Sequence, residues 1–158
     1  MSAPDAKQCL ETLIARMEGA VAVDAWLLGM DNDGGALLAE RLAARLPSKH
    51  RCATLDVQAL AQGVLKIIPE TALAAMLSED APIVFVDAVL WHGETIVQAI
   101  SLLRQRGVHA PIELAVLADR GDYLVPIAPT YSGGDIIVAG DTVVRLSEDQ
   151  ESGIRFQM

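Results

Sequence analysis

Residues Pro82–Gly107 read PIVFVDAVLWHGETIVQAISLLRQRG, and this stretch decides the fold. Ile83–Val86 is an almost wholly apolar run of strand-forming residues that closes on a carboxylate, Asp87. Trp91-His92-Gly93-Glu94-Thr95 then makes a short loop. From Thr95 to Arg106 the apolar residues Ile96, Ala99, Ile100 and Leu103 recur at helical spacing, with Gly107 at a natural C-cap. A buried strand, a Gly-containing loop and an amphipathic helix form half of a βαβ unit. The free N–H groups and positive dipole end of such a helix suit an anion.

The same alternation extends in both directions. Pro4–Glu18 carries Leu10, Leu13, Ile14 and Met17 on one helical stripe closed by Gly19. It is followed by a strand at Ala25–Gly29, a turn at Asp31–Gly35 and a helix over Ala36–Leu46 that Pro47 ends. Arg51–Val57 reads as a strand, Pro69–Leu77 as a short helix and Ile112–Leu117 as a strand; Gln58–Ile68 is ambiguous. Asp135–Val138 and Thr142–Leu146 read as short β segments, and Ser147–Met158 as an edge strand or loose tail. Apolar strands alternating with helices predict an α/β domain with a mostly parallel twisted sheet flanked by helices, a single unit over residues 1–158. In such sheets ligands bind beyond the carboxyl ends of the strands. Asp31–Gly35, Asp87–Thr95 and Asp119–Asp122 are therefore expected on one edge.

Composition narrows the function. The chain has 158 residues, 52% of them hydrophobic, and a net charge of −9. That charge argues against binding RNA or DNA, which needs clustered Lys and Arg. The tightest basic groups, Arg41/Arg45/Lys49/Arg51 and Arg104/Arg106, read as solvated helix faces. Cys9 and Cys52 lack metal-binding spacing; a disulfide between them is possible in principle, and the expectation is a small hydrophobic role in a reducing compartment. The start of the chain has no signal-peptide pattern, and no apolar run is long enough to span a membrane. The expectation is a cytoplasmic protein.

Within the central stretch, Thr95 and the amides around Gly93 can hold a phosphate, while Asp87 can hold sugar hydroxyls or Mg²⁺. The plainer reading of the same residues is a helix N-cap and a strand-end turn. Both readings stand at this point.

The stretch VFVDAVLWHGETIVQAISLLRQRG resembles the phosphoribosyl-diphosphate (PRPP) motif of type I phosphoribosyltransferases: an apolar strand, two acids, a few variable residues and T-G-[KR]-T. The version most similar is that of the pyrimidine-operon attenuation regulator/uracil phosphoribosyltransferase family, V-D-D-V-L-Y-T-G-R-T. Leu27-Leu28-Gly29 with Leu38–Ala43, Leu55-Asp56-Val57, and Glu113–Gly121 followed by Pro126-Ile127, Tyr131 and Gly133 resemble further segments of that family in the same order. The resemblance implies a type I phosphoribosyltransferase-like fold, a homo-oligomer, a PRPP-like or nucleotide ligand and, if the chain is active, Mg²⁺-dependent conversion of PRPP and uracil to UMP.

The resemblance places the phosphate at His92, Gly93, Glu94 and Thr95, and the ribose at Asp87, which is also its metal candidate. It places the diphosphate at Asp31, Asn32, Asp33 and Gly34, and the base near Arg120 and Ile127. A salt-bridged turn remains the alternative for Arg120.

The departures concentrate where phosphate would sit. The second acid is Ala88, the loop cation is Glu94, and the arginine-bearing I-R-T-R-G loop is Met30-Asp31-Asn32-Asp33-Gly34-Gly35. The family's Y-R-D-D and long closing arm give way to the uncharged Gln58–Gly63. A carboxylate about 6 Å from a dianionic phosphate opposes it by roughly 5 kcal/mol before screening, at an effective dielectric constant of about 20. The expectation is a family member that binds a nucleotide or sugar phosphate in a regulatory role with weak or no catalysis. An active transferase is the alternative, and an α/β interaction module without a ligand is the second alternative.

Overall fold

The computed structural model describes residues 4–158. In chain order the elements are α1 (Ala6–Met17), β1 (Trp26–Asp31), α2 (Gly35–Arg45), β2 (Cys52–Asp56), α3 (Val57–Ala61), β3 (Ile67–Ile68), α4 (Glu70–Ser78), β4 (Ile83–Leu90), α5 (Glu94–Gln105), β5 (Ile112–Asp119), β6 (Tyr131–Ser132), β7 (Arg145–Asp149) and β8 (Gly153–Gln157). Six strands form one sheet in the order β3-β2-β1-β4-β5-β6, in which only the β2–β3 pairing is antiparallel.

The α/β architecture expected from the alternating pattern is therefore present. The apolar runs alternate their side chains between two cores. On one face, Leu27, Val84, Val86, Ala88, Ala115 and Leu117 pack with α1 and α2 through Leu10, Leu13, Ile14, Leu38 and Leu42. On the other, Leu28, Met30, Ile83, Phe85, Leu114 and Val116 pack with α3–α5 through Leu60, Met76, Ile96, Ala99 and Leu103. Helices on both faces explain why these strands are apolar on both sides. Helix α2 lies so close to the sheet that a Cβ on Gly35 would run into the carbonyl oxygens of Met30 and Val86, which anchors its start between β1 and β4.

The chain leaves β1 toward β2 on one side and returns to β4 on the other. The crevice beyond the carboxyl ends of β1 and β4 is thus the switch point of the sheet.

Several sequence expectations are corrected. β1 continues through Asp31, which is a strand residue rather than the first residue of the turn. β4 likewise continues to Leu90, so Asp87 is interior to the strand and not its end; Val89 and Leu90 keep pairing with Ala118 and Asp119 of the neighbouring β5. Gln58–Ile68 resolves into α3, capped by the Asp56 carboxylate on the Ala59 N–H at 3.0 Å, followed by the edge strand β3. Asp135–Val138 makes only a single bridge, Asp135 to Asp119, and Thr142–Val144 is irregular. The tail is neither loose nor an edge of the main sheet. β7 and β8 form their own antiparallel hairpin, which buries Leu146 and Ile154 in the α1/α2 core.

Among the described residues no helix is long and apolar enough to cross a membrane. Cys9 and Cys52 are both free thiols, and burial raises the pKa of each. The basic clusters are largely paired: Arg45 with Glu11 at 2.8 Å, Arg51 with Glu79 at 2.6 Å, and Arg41 with Glu148 at 3.4 Å, all on exposed faces.

Candidate functional site

A cavity of about 400 Å³ opens at the switch point, lined by Asn32, Asp33, Asp87, Val89, Leu90, Trp91, His92, Gly93, Glu94, Thr95, Ile96, Arg120, Val143 and Val144. Three chain segments expected on one edge do meet there: the β1–α2 loop through Asn32 and Asp33, the β4–α5 loop through His92–Thr95, and the end of β5 through Arg120. Asp31, Gly34 and Ile127 do not line it.

Ile127 has a different place. A Cβ on Gly93 would lie 2.5 Å from Ile127 Cγ2 and 3.0 Å from Val125 Cγ2, so the segment after β5 is pressed onto the β4–α5 loop. The Leu124 N–H donates to the His92 carbonyl at 2.9 Å and fixes that arrangement. Gly93 also has φ of 85°, in the left-handed region that side chains disfavour, and it is the residue from which α5 starts. Among the described residues no side chain caps α5, so the amides of its first turn remain available to an incoming acceptor.

Asp87 is the buried acid of the cavity, 8% exposed. Its Oδ1 accepts the Ala88 N–H at 2.9 Å, and among the described residues no side chain bonds it. Burial pushes its pKa up to about 7; the Ala88 N–H offsets this in part, and the negative charge of Asp33 adds to it. The neighbouring Ala88 is fully buried in the α1/α2 core, so the position where the resemblance expects a second acid belongs to the packing here.

Arg120, which lines the crevice, and Arg145, which reaches it through Asp33, are both already engaged. Arg120 lies over the Trp91 ring, 3.8 Å from its centroid, and donates to the carbonyls of Thr142 at 2.5 Å and Gly140 at 3.0 Å. It therefore fastens the irregular segment 140–144 against the site, and its bonds run to backbone rather than to a salt-bridged turn. Arg145, from β7, donates through Nε to Asp33 Oδ1 at 2.9 Å, and the Leu146 N–H donates to the Asp33 carbonyl at 2.8 Å. Trp91 also stacks at a tilt on His92, with ring centroids 4.3 Å apart.

Val143 and Val144 form a wall that the sequence reading missed. No local signal marks them: long-range bonds of Arg120 and Asp33 hold the flanking backbone, and Val144 packs in a small buried cluster with Ala118 and Ile136. Asp119 engages the Tyr123 hydroxyl and the Gly121 N–H, which shapes the turn after β5. Burial, reinforced by the Asp119 carboxylate, pushes the Tyr123 pKa up to about 12.

Asp87 is the metal candidate, but the donor set around it is poor for Mg²⁺. Of the three carboxylates lining the cavity, Asp87 is buried with its pKa raised, Asp33 is paired with Arg145, and Glu94 is left at the start of α5. No group of three or more His, Cys, Asp or Glu arranged for a metal exists among the described residues. Mg²⁺ requires near-octahedral oxygen ligands. These residues do not fit a resident Mg²⁺ ion.

The sequence is 35% identical over 154 residues to the bifunctional protein PyrR of Ralstonia nicotianae, covering 93% of this chain and 88% of that protein. This chain belongs to the PyrR family. It is 30% identical over 139 residues to the bifunctional protein PyrR of Akkermansia muciniphila, covering 84% of this chain and 76% of that one. No protein-family model matches the sequence. Among solved structures, the fold is similar to a hypoxanthine phosphoribosyltransferase from Staphylococcus aureus, with a TM-score of 0.60, 22% identity and coverage of 88% of this chain and 73% of that one. It is also similar to orotate phosphoribosyltransferase from Aeropyrum pernix, with a TM-score of 0.58, 21% identity and coverage of 80% and 69%. The type I phosphoribosyltransferase-like fold that the resemblance implied is thereby established for this PyrR-family chain.

Proposed function

We propose that this PyrR-family chain binds a phosphorylated nucleotide or sugar phosphate in the β1–β4 crevice and acts in regulation, with little or no phosphoribosyl transfer. The observation that carries this reading is the charge of the crevice. It holds no free cation among the described residues: Asp33 (paired with Arg145), the buried Asp87 and Glu94 line it, while Arg120, its one lining arginine, is committed to backbone carbonyls and the Trp91 ring. A leaving diphosphate needs preorganised cationic donors where its charge develops, and none is free there.

What remains favours binding. The first-turn amides of α5 and the Thr95 hydroxyl can take one phosphate. Asp87, protonated or not, can hydrogen-bond sugar hydroxyls, and Trp91 offers an aromatic edge. The retention of Asp87, Gly93 and Thr95 supports the second reading, an active uracil phosphoribosyltransferase using substrate-borne Mg²⁺.

Mixing the protein with PRPP, Mg²⁺ and uracil and measuring UMP separates the two. Turnover above about 1 s⁻¹, in the ordinary enzyme range, overturns the regulatory reading. With turnover absent, UMP at 100-fold its Kd should stabilise the fold by about 2.7 kcal/mol. No shift with UMP, UTP or PRPP would favour an interaction module instead. The homo-oligomer implied by the family is part of the proposal, checked by light scattering; a monomer mass would remove it.

A further inference from the structure

Resting on the nucleotide-binding reading above, we propose that residues 139–143 form an autoinhibitory strap. The carbonyls of Gly140 and Thr142 occupy Arg120, the one arginine lining the crevice, and release of the strap returns that cation to an incoming anion.

The strap is anchored at both ends and unsupported between them. Ile136 and Val144 are buried with Ala118, and the Ile136 N–H donates to the Asp119 carbonyl at 2.9 Å. Residues 139–143 are exposed and have no regular secondary structure. Among the described residues, the only hydrogen bonds that reach residues 137–144 come from Arg120, to the Thr142 carbonyl at 2.5 Å and the Gly140 carbonyl at 3.0 Å. Gly140 turns the chain at φ of 60°, and a Cβ there would meet nothing within 4 Å. A segment with so few buried contacts and so few bonds opens at low cost while the core stays folded.

Arg120 itself does not leave with the strap. Its N–H donates to the Leu90 carbonyl at 2.8 Å, and its guanidinium lies 3.8 Å from the centroid of the Trp91 ring, which also lines the crevice. Opening therefore leaves the guanidinium beside the site with both terminal nitrogens unpaired. An anionic group can then take both nitrogens at once and add an opposite charge, which two neutral carbonyls do not supply. Val143, at the end of the strap, is a wall of the crevice, so the same movement widens its mouth.

Isothermal titration with UMP tests this on the wild-type chain and on two strap variants. Gly140→Val places a β-branched residue at positive φ and disfavours the turn, while its side chain points into open space. The second variant carries two extra glycines inserted after Gly140, which moves the carbonyls out of register without strain. Each should bind UMP more tightly than the wild type by about fivefold or more. In an Arg120→Ala background Gly140→Val should change the affinity by less than about twofold, because no cation is left to release. Without any ligand, an aspartate-specific endoproteinase should cut both strap variants faster at Asp141 and at the wild-type rate at the other aspartates. Strap variants that bind UMP no better than the wild type overturn the proposal, as does a gain that survives Arg120→Ala or an unchanged rate of cutting at Asp141. If the wild type binds UMP and only these differences fail, the nucleotide-binding reading stands without this inference. If no variant binds UMP, both fall.

Discussion

Replacing Asp87 by Asn should stabilise the protein increasingly as pH rises from about 4 to 7 and leave it nearly unchanged below about pH 4. Asp87 is 8% exposed, and burial raises its pKa from 3.8 to about 7. Unfolded, the same carboxyl titrates near its ordinary value. Between about pH 4 and pH 7 the native state therefore holds a proton that the unfolded state has lost, so the contribution of this residue to stability falls as pH rises. A shift of about three units at 1.36 kcal/mol each gives a penalty of about 4 kcal/mol, fully developed above about pH 7 and absent below about pH 4.

Asn is isosteric, stays neutral throughout and can still accept the Ala88 N–H through its amide oxygen. The measurement is denaturant unfolding of both proteins at several pH values from 5 to 8.5. The acids whose pKa is lowered by ion pairs or hydrogen bonds, Glu11, Glu79 and Asp149, contribute stability that is lost only at lower pH, so they do not distort this window. The midpoints should diverge with rising pH in favour of the Asn variant. Parallel curves, or an Asn variant weaker at pH 8.5, would refute the desolvation argument.

Three further outcomes follow from the same contacts. Gly93→Ala should destabilise the fold by about 1–3 kcal/mol, through its positive φ and the collision with Ile127 and Val125, read as a lower unfolding midpoint. Arg120→Ala should release segment 140–144, seen as faster amide hydrogen exchange there, with a global cost of about 1–3 kcal/mol; unchanged exchange would contradict the latch. Leu146→Ala should cost about 2–5 kcal/mol by opening a cavity in the α1/α2 core, and should loosen the β1–α2 loop as well.

The parallel sheet was legible because β1, β4 and β5 are apolar runs bounded by Gly and Asp, and because α1, α2 and α5 carry their core residues at helical spacing. The meeting of the β1–α2 and β4–α5 loops followed from that order alone. The role of Asp87 was obscured because an acid at the end of an apolar run looks like punctuation, whereas here the strand passes through it to Leu90 and buries it.

Arg120 shows the other limit. Its partners, Gly140 and Thr142, are backbone carbonyls, which carry no residue identity and so leave no trace in the sequence. The tail looked polar because β7 and β8 form a two-stranded sheet with one face on the core. Only Leu146 and Ile154 are buried within it, with Phe156 partly so.

The bond between Asp33 and Arg145 joins positions 112 residues apart in the chain. Synthesis runs from the N-terminus, so the crevice exists only as a half-made shape until the chain has been made through Arg145. Its last wall comes from a hairpin assembled after every strand of the main sheet is already present. The β1–α2 side of the crevice is thereby held by a hairpin that lies outside the main sheet in both sequence and space.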